Sequence, residues 1–477
     1  MLFNSYAFIL LFLPAALTGH TLAARHGNRT AVLWLGLMSL AFYAGNGAAH
    51  TALLLGSIAV NYRIGRTLAD GAGRGWLAAG VAGNLLLLGW FKYAVFATET
   101  LGIETGPGAA AARAALPIGI SFYSFTQIAW LVDAASGRAG KADAPGYLLF
   151  VTWFPHLVAG PLLHHGETVP QFQRPASFRP DAESIAIGAS VFAVGLFKKV
   201  ILADELAPIA DALFTPGAVS GAGAAGAWGG ALAYTFQLYF DFSGYSDMAA
   251  GLSRMFGVRL PANFDSPYRA ASIVEFWRRW HMSLSDFLRA YVYIPLGGNR
   301  RGRGRQYTNL MATMLLAGLW HGAGWTFIAW GALHGALLVL NHIWSARLPR
   351  VPGPIGRSIG WSMTMLAVIA GWVLFRAPDF TTAREVYAAM AGANGIGALP
   401  PARALLLLPL ATGIVLAAPN MRQWMPDGAL LLPGSTTPAP IALRWRPSVF
   451  WAVACFALLA LALLRMSRAS PFLYAQF

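Results

Sequence analysis

The run from Gln306 to Ala346, QYTNLMATMLLAGLWHGAGWTFIAWGALHGALLVLNHIWSA, contains no Asp, Glu, Lys or Arg. A bilayer core about 30 Å thick is crossed by roughly 20 apolar residues of helix. The run therefore supplies two short passes, broken near Gly322–Gly324, where glycine punctuates the helical pattern. Similar charge-free runs extend over Met1–Ala24, Thr30–Tyr62, Ala114–Val132 and Ala144–Gly166, and then over Ala212–Phe240, Ser358–Phe375, Ala404–Met421 and Pro447–Leu464. Counting the longer ones as pairs gives roughly eleven to thirteen transmembrane or re-entrant helices. The stretch around Phe154–Pro161 carries Pro and Gly, so a re-entrant segment fits it as well as a full crossing. Alternating barrel strands would not produce continuous apolar runs of this length, and the expected fold is an all-α polytopic membrane protein.

The composition of the whole chain agrees. Of 477 residues, 57% are hydrophobic and only 11% charged, whereas about a quarter of an ordinary soluble chain is charged. So few charges could not cover a water-facing surface of this size, and disorder needs the opposite balance. A disulfide scaffold is excluded because Cys455 is the only cysteine. Met1-Leu-Phe-Asn4 lacks the basic start of a signal peptide, so the first apolar run reads as a retained helix. No tandem repeat is evident, and Trp424–Arg446, interrupted by Pro, Gly and Thr, reads as a loop. The expectation is one integral-membrane domain over 1–477.

The net charge of +15 is unevenly placed. Between Gly251 and Arg305 ten arginines face only Asp265, Glu275 and Asp286, a local excess of +7. The positive-inside tendency puts this segment on the cytoplasmic side. Its arginines, Arg300, Arg301, Arg303 and Arg305 among them, admit two readings. They can set topology and meet anionic membrane lipids, or they can receive a phosphate-bearing donor or an acidic carrier protein. Nothing resembles a soluble nucleic-acid-reading module, and no nucleic acid is expected as a partner.

Within the basic segment, Ile273, Phe276, Trp277, Trp280, Leu284, Phe287, Leu288 and Tyr291 follow helical spacing and form one apolar stripe. Glu275, Arg278, Met282, Asp286 and Arg289 fall opposite. Such a helix is expected to lie in the interface plane, with His281 at the boundary between its faces.

Polar groups in a charge-free membrane run are informative exceptions. His321, in Leu319-Trp-His321-Gly322, is the foremost one. Desolvation favours the neutral imidazole, which can accept a proton, and Gly322 permits close approach of another segment or a substrate. The competing reading is a histidine that only bonds between helices. His334 and His342, like His156, His164 and His165, read as packing or cavity residues. No His-Glu-x-x-His, Cys pair or nucleophile elbow occurs, so no metal is expected. A second cluster, Gln237-Leu-Tyr239-Phe-Asp241-Phe-Ser243-Gly-Tyr245-Ser-Asp247, places two carboxylates beside an apolar run. They are expected to pair with the downstream arginines.

Three motifs then carry a resemblance. Trp277-Arg-Arg-Trp280-His281-Met-Ser283-Leu-Ser285, Tyr291-Val-Tyr-Ile-Pro295-Leu-Gly-Gly298-Asn299-Arg300 and Gly318-Leu-Trp320-His321-Gly322 closely resemble the membrane-bound O-acyltransferases, in the branch of the bacterial alginate O-acetyltransferase membrane subunits. The likeness runs nearly end to end, through Phe91-Lys-Tyr93, Gly160-Pro161, Asn263-Phe-Asp-Ser-Pro267-Tyr-Arg269, Trp372-Val-Leu-Phe375 and Phe472-Leu-Tyr474. Two positions depart from it. Ala290 stands in Arg289-Ala290-Tyr291 where the family usually carries Asp, which removes a carboxylate able to orient a donor, and Ala475 replaces an aromatic residue, a change of packing.

What the resemblance implies is a helical ring around a central channel open to both sides, with the catalytic histidine in the 306–346 segment and a partly interfacial cytoplasmic segment over 251–305. It assigns catalysis to His321 and His281. It places Trp280, Ser283, Ser285, Trp320, Asn299, Tyr239, Asp241, Ser243 and Asp247 along the substrate and donor channel. Arg300, Arg301, Arg303 and Arg305 would dock the donor. The implied reaction moves acetyl from a cytoplasmic thioester, acetyl-CoA or an acyl carrier protein, toward hydroxyls of an exported polysaccharide, directly or through a periplasmic acetyltransferase partner. The implied place is a bacterial inner membrane. D-alanyl transfer to teichoic acid and O-acetylation of peptidoglycan are alternatives within the family. A transporter forming no bond is the alternative of another class, but its paired broken helices in repeated halves are not found.

Overall fold

A computed structural model describes residues 1–102, 116–140, 143–174, 178, 181–215, 217, 219–347, 351–426, 428–432, 440, 443–466 and 470–473. Tyr474 and Ala475 lie outside these. Helix dominates, and among the described residues the only β-type pairing is an isolated parallel bridge of Leu260 with Leu431. Among the described residues five helices are long and apolar enough to cross a membrane: Ala7–Arg25, Arg74–Thr100, Ala182–Phe214, Trp325–Arg347 and Gly353–Arg376. Ala402–Ala417 and Val449–Arg465 are apolar but shorter.

The chain divides the charge-free runs more finely than their lengths suggest. Thr30–Tyr62 is shared between helices Asn28–Ala44 and Ala48–Ala69. The Ala144–Gly166 run breaks after Ala144–Thr152, resumes as the four-residue turn Phe154–Leu157, and reaches its end in the first residues of the helix His165–Gln173. A nine-residue helix rises roughly 13 Å, far less than a bilayer core. Pro155 enters at the start of the short turn, where its missing N–H costs nothing. This stretch is therefore no full crossing.

Two compact units form, each from separate stretches of chain. The first takes Met1–Phe197, Tyr245–Ala262 and the chain from Met421 on. An aromatic cluster forms its centre, in which Phe8 packs against Phe3, Phe42 and Phe154 at ring separations of 5.0–6.2 Å. Several of its buried polar groups are paired. The Asn84 amide donates to Asn61 Oδ1 at 2.7 Å, Gln127 donates to Ser57 Oγ at 2.9 Å and Trp153 donates to Ser253 Oγ at 2.7 Å. His156 is one of these structural groups, its Nε2 lying 3.1 Å from the Phe150 carbonyl. The described part of the Trp424–Arg446 stretch after Trp424 carries no helix but is not loose: Trp445 is buried and donates to Ser190 Oγ at 3.1 Å.

The second unit takes Lys198–Gly244 and Asn263–Asn420. The Gln306–Ala346 run divides as its glycines predict, into helices Gly302–His321 and Trp325–Arg347. These pack almost backbone to backbone. A Cβ on Gly318 would strike the Phe327 carbonyl oxygen, and one on Gly331 the Met314 carbonyl oxygen. Gly331→Ala is expected to lower the thermal unfolding midpoint of the purified protein, since overpacking costs about 1–3 kcal/mol. Gly324→Ala, whose Cβ would sit at an ordinary 3.5 Å from Phe327, serves as the control. A Gly331→Ala protein that melts with the wild type would refute the close-packing account.

The apolar stripe from Ile273 to Tyr291 does not form a single helix lying in the interface plane. It breaks into Ile273–Trp277, Met282–Leu288 and a π-helical turn, Arg289–Tyr293. Ile273, Phe276, Trp280, Leu284, Phe287 and Leu288 are all buried. A periodic stripe reports an apolar face without saying whether lipid or protein covers it, and here protein does.

Candidate active site

His321 closes the Gly302–His321 helix, because Gly322 turns to an extended conformation and the next helix begins only at Trp325. Only 2% of its surface is exposed. Aromatic rings stand edge-on around the imidazole: Trp320 at 4.9 Å, Trp330 at 5.1 Å and Phe375 at 5.2 Å. The close approach that Gly322 permits is taken by the Phe327 ring, into which a Cβ at Gly322 would project. A helix C-terminus carries partial negative charge and favours a cation in its last turn. The site therefore excludes bulk water from the imidazole, at a helix end whose dipole would favour a positive charge there.

His281 comes to the same place from a different element. Its backbone is left-handed, with φ 43° and ψ 54°, and it occupies the N-cap position of Met282–Leu288. The sequence places it at the boundary between the two faces of an interfacial helix, yet it is 0% exposed. The left-handed turn breaks the helix and swings the side chain inward. Its ring meets Phe242 edge-on at 4.7 Å and lies 6.0 Å from Trp320 and 6.4 Å from His321. Burial pushes the His281 imidazole well below the ordinary histidine range. Two histidines forty positions apart thus share one dry aromatic pocket.

The remaining predicted residues separate by role. Trp320 is part of the pocket. Trp280 and Tyr239 are buried in the aromatic cluster beside it, with rings 6.4 Å apart, and Trp280 also lies 4.8 Å from Trp372. The Ser283 hydroxyl donates to Asn263 Oδ1 at 2.6 Å, and that of Ser285 donates to the Trp277 carbonyl at 3.3 Å. Ser243 is buried in the helix Ala224–Met255, and Asp247 lies further along that helix, in the first unit. Asn299, Arg300, Arg301, Arg303 and Arg305 are exposed in and just after the turn over 294–301, whereas the two histidines are buried. Ala290 is half-buried in the π-helical turn.

Asp241 departs from expectation. Its close cation is an upstream lysine: Lys199 Nζ lies 2.6 Å from Asp241 Oδ1 and 2.8 Å from Asp204 Oδ1. The reading from sequence looked downstream, to arginine, and passed over Lys199, the second of two adjacent lysines in a largely apolar helix. It also gave no role to Phe242, Trp330 and Phe375, which the helical pattern presents only as generic core. His334 is structural, as expected, since its Nδ1 accepts the Trp277 indole N–H at 3.3 Å and it sits against Gly371, where a Cβ would lie 2.7 Å from Nε2. Among the described residues no group of three or more His, Cys, Asp or Glu side chains is placed to hold a metal ion.

Comparison with known proteins gives this geometry a context. The model of the membrane-bound O-acyltransferase family matches residues 85–377, which include both histidines. The chain is 38% identical to the peptidoglycan O-acetyltransferase of Helicobacter pylori over 427 residues, covering 83% of this chain and 81% of that protein. It is 44% identical to the probable alginate O-acetylase of Azotobacter vinelandii over 401 residues, covering 82% and 78%. The corresponding protein of Pseudomonas aeruginosa is also 44% identical over 401 residues, covering 82% and 75%.

Proposed function

The chain belongs to the membrane-bound O-acyltransferase family, and from that premise we propose that it moves acetyl from a cytoplasmic thioester toward hydroxyls of an exported, alginate-like polysaccharide. The donor is acetyl-CoA or an acyl carrier protein, the setting is a bacterial inner membrane, and transfer is direct or through a periplasmic partner protein. The observation that carries this reading is the convergence of His281 and His321, ring centres 6.4 Å apart, in a buried aromatic pocket.

The chemistry follows from the surroundings. The acceptor oxygen attacks the thioester carbonyl and forms the C–O bond while His321 takes the hydroxyl proton. The tetrahedral intermediate collapses with rupture of the C–S bond. The departing thiolate recovers the proton from the imidazolium, leaving a thiol and an O-acetyl ester. His281, held neutral by burial, keeps a ring N–H to offer to the developing oxyanion. Exclusion of bulk water protects the thioester from hydrolysis.

The test is transfer of labelled acetyl from each donor by the protein reconstituted in vesicles. Label in ester linkage on polymannuronate supports the proposal. Label on peptidoglycan fragments would move the acceptor to the second reading, which the Helicobacter relative favours. Label on neither, with or without periplasmic extract, would overturn glycan acetylation. Donor docking makes its own prediction. Changing the exposed Arg300, Arg301, Arg303 and Arg305 together to Gln should raise KM for an acidic donor about tenfold at low salt and flatten its salt dependence. An unchanged KM would leave these arginines to topology alone.

A further inference from the structure

Ser266 and His281 are the only non-glycine residues with positive φ among the described residues, at 47° and 43°. Side-chain-bearing residues rarely adopt this backbone, and it persists where the surroundings over-determine it. The two are not independent, because each lies in one of two short segments that grip each other. On one side of His281, Asp265 N–H donates to the Arg279 carbonyl at 3.0 Å, and Arg279 Nη1 donates back to the Asp265 carbonyl at 3.3 Å. On the other side, Met282 N–H donates to the Asn263 carbonyl at 3.0 Å. The Asn263 side chain completes the clamp, with Oδ1 accepting from the Ser283 hydroxyl at 2.6 Å and the Ser283 N–H at 3.4 Å.

The gripping segment is itself anchored. Asn420 Nδ2 donates to Asp265 Oδ1 and to Ser266 Oγ, each at 2.8 Å. Asn263 and Asn420 are buried, so these bonds form away from competing water. Asn263 thus ties down the two residues that immediately follow His281, while Asp265 and Arg279 tie down the chain before it. His281 has no choice of backbone between these ties.

We propose that Asn263 is a positioning residue for acyl transfer: its amide oxygen, through Ser283, locks His281 in the left-handed turn that presents the imidazole to the His321 pocket. The inference rests on the proposed acetyl transfer, and the wild-type rate tests that separately. Asn263 itself touches neither donor nor acceptor in this scheme.

The experiment compares Asn263→Ala, Asn263→Asp and Ser283→Ala with the wild type in vesicles, using acetyl-CoA and polymannuronate. Asn263→Ala should lower kcat ten- to a hundredfold with KM for acetyl-CoA within twofold. Asn263→Asp keeps an acceptor oxygen and should stay within about threefold of the wild type. The decisive readout is non-additivity: in a His281→Ala background, Asn263→Ala should slow the residual rate no further, whereas a general defect of folding would multiply the loss. Should Asn263→Ala fail to fold, Ser283→Ala removes the same hydrogen bond from the donor side and carries the test. Unchanged kcat in Asn263→Ala or Ser283→Ala, or a fully multiplicative loss with His281→Ala, overturns the proposal.

Discussion

His321→Ala is expected to lower acetyl transfer by about a factor of 10²–10⁴, the range lost when a positioned general base is removed. Acetyl esters on the exported glycan should fall below detection in cells, while protein level and membrane insertion remain those of the wild type. Retention of the fold is expected because the imidazole terminates its helix and the rings of Trp320, Trp330 and Phe375 surround it from several elements. The remaining structure can collapse partly into the space vacated. His281→Ala should cost less, since the base would remain and only orientation and oxyanion stabilisation would be lost. Wild-type ester levels in the His321→Ala strain would eliminate the general-base account and return the molecule to the transport reading.

Lys199→Met is expected to act on stability rather than chemistry. Lys199 and Asp241 are both nearly inaccessible, and their charged atoms lie 2.6 Å apart. Asp204 completes the triad at 2.8 Å, and its side chain is 28% exposed. The π-helical turn Lys198–Ala203 matters here. Its backbone bonds run from residue i to i+5, which brings position 204 over position 199. Removing one partner of a buried pair typically costs about 3–5 kcal/mol, because the other charge is left without compensation. The yield of folded Lys199→Met protein and its unfolding midpoint should both drop sharply. Adding Asp241→Asn should recover most of the loss, since Asp204 can be hydrated on its own. A Lys199→Met protein as stable as the wild type would show that the triad contributes nothing net to the fold.

The lysine illustrates what was hard to read. Forty-two positions separate Lys199 from Asp241, and no local pattern links them. The downstream arginines were the nearer and more numerous cations, so proximity in sequence pointed away from Lys199. His281 shows a second kind of difficulty. The helical period of its neighbours holds through the break, because side chains on both sides of the turn remain apolar and buried. Hydrophobic spacing records which residues avoid water, and it is silent about a single left-handed residue that redirects the chain. Asn263 was visible within a motif yet had no role until its oxygen was found on Ser283.

The sequence by itself determined the helical membrane class, the break at Gly322–Gly324 and, through its motifs, the family to which the chain belongs. The first two are local properties: an apolar run too long for anything but a membrane helix, and glycines where a helix must end. Only the tertiary structure decided that the two histidines share one pocket, that Lys199 neutralises Asp241 and that the Ile273–Tyr291 stripe faces protein rather than lipid. Those outcomes depend on packing between distant segments, where a few ångströms set by Gly318, Gly331 and the left-handed turn at His281 determine which side chains can meet.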